Sequence, residues 1–455
     1  MYGPYIIVCR MKILFIVSDL KDNRWLKYIL EEFLRINVAE FKIRVCDVDQ
    51  VDKSCGKVIY YYKNCVDKLS IPNRSYTNIR GNILWLSKEI FIIEDTIVNG
   101  WEGSCCYDIF WNAFVFLSRL EEYRNKKRIK SYAKNHPRKE KTTFDIPVVN
   151  NLFNEFELFI KNNFPELPFG SKKKPVIELS HDVDYIKKTF QLRLKQTAFN
   201  GYNTLKAFKN RSVFIHNAQA LLSFLFSNTS CWCFDYWETI EQKYLKRSIF
   251  YIYVQTEKKD FKSWLIDPSY DVRADKKLQL KLRQLIYDGF EIGLHGSYHS
   301  AADEKRLVDE KDVLENILGR QVEKIRQHWL RYEEKITPVL HNKYFIYDST
   351  IGWNDRMGFR SGCASRYRPY DHAKQKPFQY MVTPQVIMDS VIFDYGAERI
   401  SLQTKKTLLM IKNIQALKTS HISISWHQRV CNNDYNWHKL YEKILKEHTG
   451  DCEYI

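Results

Sequence analysis

No stretch of this sequence is apolar for long enough to cross a bilayer. The run "AQALLSFLF" at 218–226 is less than half of the roughly 20 residues that a spanning helix needs. The eleven cysteines contain no paired CxxC array with zinc-finger spacing, which argues against a structural zinc. Their scatter, with Cys105 next to Cys106 and Cys231 one residue from Cys233, fits a reducing compartment. The opening stretch "MYGPYIIVCRMKILFIVSDLKD" has no basic segment ahead of its first apolar run and no small-residue cleavage site. A secretory signal is therefore not expected, a signal starting at Met11 being the alternative, and the expected location is cytoplasmic or at the inner face of the membrane. No short-period repeat is visible. No nucleic-acid-binding motif accompanies the basic charge, so no nucleic-acid partner is expected.

What is present is a globular balance. The chain is 455 residues long, 45% hydrophobic and 27% charged, which excludes wholesale disorder and predicts two domains. Its net charge of +17 would suit an anionic membrane surface or an acidic substrate, although codon bias toward Lys, Asn, Ile, Tyr and Phe produces the same excess.

Short β-rich runs ("KILFIV", "FKIRVCDV", "KVIYYY", "NILWLS", "EIFIIEDT") precede two helical patterns at 108–127 and 148–164. They predict a smaller α/β domain over 1–165. The Pro-, Gly- and Lys-rich "PELPFGSKKKP" (165–175) marks the boundary of a second domain, 172–455. Seven apolar β-type runs recur there, at 175–180, 248–254, 290–294, 323–330, 343–349, 379–389 and 421–426, with helical patterns between many of them. Alternating β and α predicts a parallel sheet, open or closed into a barrel. A basic segment at 186–236 is too long for an ordinary βα connection and reads as an insertion.

Reactive polar residues gather at the carboxyl ends of these runs. Run one ends in Ser180–His181–Asp182–Val183–Asp184 and run three in "HGSYH", His295 to His299. Run four carries Arg326, His328, Trp329 and Arg331, run five Asp348, and run seven leads to His427. Each piece alone has an ordinary explanation, such as a helix cap or an exposed histidine pair. Together they mark one edge, the edge where loops converge in parallel α/β folds. One Asp and two His can hold Zn²⁺ or a similar divalent ion, a second carboxylate can take a proton from water, and a histidine opposite can protonate a leaving amine. That combination predicts metal-assisted hydrolysis of an amide or ester.

These residues resemble the motifs of the polysaccharide deacetylases, carbohydrate esterase family 4, over roughly residues 172–430. The amino-terminal part, with "DIFWNAFVFLSRLEEY" and "DIPVVNNLFNEF", is similar to the accessory domain of a bacterial subgroup. The resemblance implies a distorted seven-stranded (β/α) barrel preceded by the smaller α/β domain. It implies Asp182 as catalytic base and Asp184, His295 and His299 as ligands of a divalent metal, Zn²⁺ first, with Co²⁺, Ni²⁺ or Mn²⁺ as alternatives. Arg326 would orient the base, the Trp329 backbone N–H would hold the oxyanion, and His427 would be the general acid. Two departures from the family pattern stand out: Val183 separates the two aspartates, and the hydroxyl of the second motif sits one place along, at Ser297. For the fourth motif the candidates are Asp348, Trp353 and Asp355, and His181 and His328 are candidates for supporting roles.

The expected reaction is removal of acetyl groups from N-acetylated (or O-acetylated) sugars of a surface polysaccharide or its precursor, with an acetylated glycan or lipid-linked glycan precursor as partner. Hydrolysis of a non-carbohydrate C–N bond is the alternative on the same fold. A catalytically degenerate barrel that binds membranes or acidic polymers is the alternative from another class. Peripheral membrane contact through 187–226 is a further expectation, weighed against a solvated helix face.

Overall fold

The computed structural model describes residues 12–47, 57–62, 69–72, 83–85, 91–93, 108–125, 129–138, 141–206, 211–394, 400–417, 419–448 and 453–454. The chain divides into two compact units. The first takes Met1–Arg128, His136–Lys173 and Ser361–Phe378; the second takes Ile129–Asn135, Lys174–Arg360 and Gln379–Ile455. Strands are numbered along the chain.

In the first unit, β1 (Ile13–Ser18) pairs in parallel with β2 (Lys42–Cys46) and β3 (Val58–Tyr62). With β4 (Ser70–Pro72) they make a parallel sheet of order β2-β1-β3-β4. Two antiparallel pairs accompany it, β5 (Ile83–Trp85) with β6 (Phe91–Ile93) and β12 (Tyr370–Asp371) with β13 (Lys376–Pro377). Helix Arg24–Ile36 carries Leu26, Ile29, Leu30, Phe33 and Ile36 at helical spacing, and all are buried. Phe33 meets Phe153 and Phe156 of helix Val148–Asn163 with ring centroids 5.7 and 4.7 Å apart. The helical pattern expected at 108–127 is broken in two, Ile109–Leu117 and Leu120–Arg124, because Arg119 takes a left-handed backbone (φ 52°).

The second unit is the expected barrel. Strands β7 (Val176–Val183), β8 (Ile249–Tyr253), β9 (Glu291–Gly296), β10 (Lys324–Gln327), β11 (Tyr347–Asp348), β14 (Met381–Val382), β15 (Gln385–Met388) and β16 (His421–Ser425) are all parallel. Their order is β14-β11-β10-β9-β8-β7-β16-β15, so the two outermost strands are consecutive in the chain, separated only by Thr383 and Pro384. One broken strand thus bonds to β11 with its first half and to β16 with its second, which curls the sheet round on itself. Thr383 N donates to Asp348 O at 2.9 Å, and Ser423 N donates to Pro384 O at 2.8 Å. Counting that strand once gives the seven positions expected of the family fold. β17 (Glu453–Tyr454) adds beside the start of β7.

The helical patterns expected between the runs form Lys276–Tyr287 and Glu304–Leu318, the latter ended by Gly319 at φ 68°. Run five is shorter as a strand than its sequence predicts. Lys343 and Tyr344 close helix Thr337–Tyr344, and only Tyr347–Asp348 enters the sheet. The insertion after β7 contains two helices, Phe190–Lys206 and Arg211–Phe226.

Candidate active site

A strand turns successive side chains to opposite faces, so Ser180 and Asp182 share one face of β7 and Asp184 follows in step. That face is the barrel interior, and Arg326 fills it. The guanidinium is fully buried and donates to the Ser180 hydroxyl (2.9 Å), Asp182 Oδ1 (2.7 Å), Gln385 Oε1 (2.8 Å) and the Ser423 hydroxyl (2.8 Å). Its Nε donates to Ser349 O at 3.2 Å. Strands on every side of the barrel therefore hold one arginine, and the arginine holds one carboxylate. Burial alone would raise the Asp182 pKa, but the charges of Arg326 first and His427 after it keep it below the ordinary carboxylate value. His181 has the opposite parity. Its Nε2 lies 2.7 Å from Glu241 Oε1 and its Nδ1–H donates to Trp426 O at 2.8 Å, so it braces the sheet rather than the site.

Asp184, His295 and His328 bring one ligand atom each to within 4.8 Å of the others. Asp184 Oδ1 stands 3.4 Å from His295 Nε2 and 3.8 Å from His328 Nε2. Four-coordinate ligands at 2.0–2.1 Å from a metal are roughly 3.4 Å apart, so the spacing suits a shared cation. Two observations support the fit. Asp184 Oδ1 is buried and accepts no hydrogen bond. Both imidazoles also have their other nitrogen engaged: His295 Nδ1–H donates to Arg326 O at 2.9 Å, and His328 Nδ1–H donates to Asp267 Oδ1 at 3.2 Å. That fixes the tautomer and leaves each Nε2 lone pair facing Asp184. Burial also lowers the His328 pKa, favouring the neutral ring that a metal needs. Burial would raise the Asp184 pKa, yet it is held well below the carboxylate range, with the cations His427 and Arg429 beside it contributing.

The other oxygen of Asp184 faces different groups. Oδ2 accepts from Arg429 Nη1 at 2.9 Å and lies 3.4 Å from His427 Nε2. His427 Nδ1–H donates to Asp389 Oδ1 and its backbone N–H to Asp389 Oδ2, both at 2.7 Å. Burial opposes protonation of His427, but the adjacent Asp389 carboxylate outweighs it and raises the pKa to about 9.

The remaining predicted residues divide. His299 is not in the three-residue group, whose third member is His328. The chain turns into a short 3-10 segment (Ser300–Ala302) right after His299, and its ring lies 5.5 Å from that of Tyr298. The loop itself is pinned. Glu310 accepts from Ser297 N at 3.0 Å, Asp267 accepts from Tyr298 N at 2.9 Å, and Arg331 donates to Tyr298 O at 2.6 Å. At Gly296 a Cβ would meet the end of the Gln327 side chain at 2.5 Å, so any larger residue would have to displace that amide. Trp329 and Leu330 follow His328 with φ of 59° and 46°, a strained turn for bulky residues beside the ligand group. Of the fourth-motif candidates, Asp348 pairs with His341 in the core at 2.9 Å, Trp353 is buried, and Asp355 accepts from the backbone of Ala133 at 2.7 Å.

Sequence reasoning left out Asp267, Asp389, Glu310 and Arg429, and gave His328 only a supporting role. Strand parity would have exposed one of them, and position at the end of a run another. His328 is in step with Arg326, and Asp389 closes the sixth run as the other polar residues close theirs.

No protein-family model matches the chain, and no curated protein matches it. Solved structures do. One described as a polysaccharide deacetylase from Mycobacterium smegmatis is 14% identical over 63% of this chain and 88% of that one, with a TM-score of 0.39. The Xyl-CE4 domain of a multidomain xylanase from the hindgut metagenome of Trinervitermes trinervoides is 8% identical over 62% and 87%, with a TM-score of 0.28. A polysaccharide deacetylase from Bordetella bronchiseptica, described as involved in O-antigen biosynthesis, is 12% identical over 64% and 84%, with a TM-score of 0.26. All three carry the description of the family that the sequence motifs resemble.

Proposed function

We propose that the chain is a metal-dependent deacetylase acting on N-acetylated (or O-acetylated) sugars of a surface polysaccharide or its precursor. The observation that carries this reading is the arrangement around Asp184. An ionised carboxylate, Asp182, a triad of ligand atoms and a protonated histidine, His427, converge from four different strand ends.

Asp184, His295 and His328 would hold the ion; their oxygen and nitrogen donors suit Zn²⁺ best, with Co²⁺, Ni²⁺ or Mn²⁺ as alternatives. When bound, a divalent ion supplies Lewis acidity toward an acetyl carbonyl and an attacking water. Asp182, held ionised by Arg326, takes the proton of that water. His427 carries a proton at neutral pH and gives it from Nε2 to the departing sugar nitrogen or oxygen. Asp389 keeps the imidazole oriented while it does so. The backbone N–H of Trp329 remains the candidate donor to the oxyanion.

The test is acetate release from acetylated oligosaccharides by zinc-loaded protein. The expected result is chelator-sensitive release that Asp182→Asn abolishes while metal content is retained. Undiminished acetate release in that variant would overturn the reading.

A further inference from the structure

The site makes no use of the insertion, whose two helices form an antiparallel hairpin. Arg193, near the start of the first, donates to Leu225 O at 2.6 Å and to Asn228 Oδ1 at 2.9 Å, at the end of the second. The hairpin's inner face is satisfied, with Leu192 and Phe224 buried together with Tyr185 and Cys231. Yet a second apolar set lies on the outside. Phe190 is 71% exposed, Leu205 73% and Phe226 75%, and Leu194, Ile215 and Leu222 are also exposed. At 3.6 residues per turn, Ile215, Leu222 and Phe226 fall within about 40° of one another, and Phe190, Leu194 and Leu205 within about 60°. These are stripes rather than scatter. The short helix Phe261–Ile266 extends the surface: Gln191 bonds to the carbonyl of its Trp264, and Phe261 is 76% exposed.

Charge identifies what would cover this surface. From Tyr185 to Phe234 there is no Asp or Glu, against seven Lys and Arg. Lys188 is matched by Asp434 at 2.8 Å, and exposed Lys187 reaches Asp275 at 3.3 Å. Lys206, Lys209 and Arg211 fall within six consecutive positions of the sequence, 206–211. A second copy of the chain would bring the same cations and be repelled. An anionic bilayer offers both partners that the hairpin needs, an apolar layer for the stripes and negative headgroups for the lysines and arginines. No helix among the described residues is long and apolar enough to cross a membrane, so the contact is a surface one.

We propose that the insertion hairpin docks the protein on an anionic membrane surface. This does not depend on the deacetylase reading, and its test needs no activity.

The test is co-sedimentation of the full chain with vesicles of phosphatidylcholine alone and with vesicles containing one third phosphatidylglycerol. The expected result is binding to the anionic vesicles only, weakened by salt. Replacing Lys206, Lys209 and Arg211 with Glu should weaken it by about a hundredfold or more. Phe190→Ser, Leu205→Ser and Phe226→Ser together remove exposed side chains, which spares the fold, and should weaken it by about tenfold or more. Equal binding to both vesicle types overturns the proposal, as does no binding at all. Loss in the charge variant alone overturns the part assigned to the stripes. A dimer that the serine variant dissociates, without vesicle binding, assigns the surface to a second copy instead.

Discussion

His328 presents its two ring nitrogens to two different carboxylates: Nδ1 lies 3.2 Å from Asp267 Oδ1 and Nε2 lies 3.8 Å from Asp184 Oδ1. A histidine bridged in this way could serve as a metal ligand, with its orienting partner already in place. His295→Ala and His328→Ala should each abolish stoichiometric zinc, measured on the dialysed protein. Asp267→Asn should weaken zinc affinity by roughly 10–100-fold through the ring it orients. His299→Ala should leave it unchanged. Zinc lost from His299→Ala and retained in His328→Ala would exchange the two histidines in the ligand set.

Arg326 and Asp182 are both buried, so cutting the pair leaves a charge with no solvent to turn to. Arg326→Met should cost about 3–5 kcal/mol of stability, read as a lower Tm. It should also move the acid limb of kcat/KM upward, because burial then acts on Asp182 without its largest opposing charge. The stability of the parent protein follows the same sign. A carboxyl whose folded pKa is depressed stabilises above its unfolded value of about 3.9, and that contribution disappears as pH falls through the folded value. An unmoved acid limb in the variant would remove Asp182 as the base.

Asp348 is at the carboxyl end of a strand, where the residues of the proposed site also lie, yet its partners are structural. It pairs with His341 at 2.9 Å and accepts from Thr350 N at 2.7 Å, with both side chains of the pair fully buried. Asp348→Ala should therefore lower Tm, by the equivalent of about 3–5 kcal/mol, because it strands His341 in the core. Zinc content and acetate release per folded molecule should be unchanged. A kcat loss at unchanged Tm would return Asp348 to the catalytic set.

The rule that reactive residues gather at strand ends was readable because strand ends coincide with the ends of apolar runs. It singled out Asp182, Asp184, His295, Arg326 and His427 as candidates, and the seven runs became the seven barrel positions. It named His299 as the third ligand, whereas the structure groups His328 with Asp184 and His295. Spacing places His299 on the same loop as His295, but the direction of its ring depends on Glu310, Asp267 and Arg331 pinning that loop. Those contacts span 13 to 33 positions in the chain. Asp389 was hidden differently. The sixth strand is broken at Thr383–Pro384 and its register with β16 shifts between Gln385 and Ile387, so simple alternation does not reach its end.

Asp389 is also the residue that keeps His427 protonated at neutral pH. Burial alone would keep the imidazole neutral; the charge and hydrogen bond of Asp389 lift its pKa to about 9. Turnover should accordingly fall on the alkaline side as His427 loses its proton, and His427→Ala should lose roughly 10²–10⁴ in kcat. Asp389→Asn keeps an acceptor for the His427 backbone N–H but removes the charge, so burial then dominates. The His427 pKa should drop below its ordinary value of about 6.5, and the basic limb should move to lower pH with it. The metal-free protein offers a second readout. A histidine with a raised folded pKa stabilises fully below about 6.5, and that contribution is lost as pH rises through about 9. The Tm of the parent should decline over that interval, whereas that of Asp389→Asn should not. A basic limb at the same pH in both proteins would show that the proton reaching the leaving group does not come from His427.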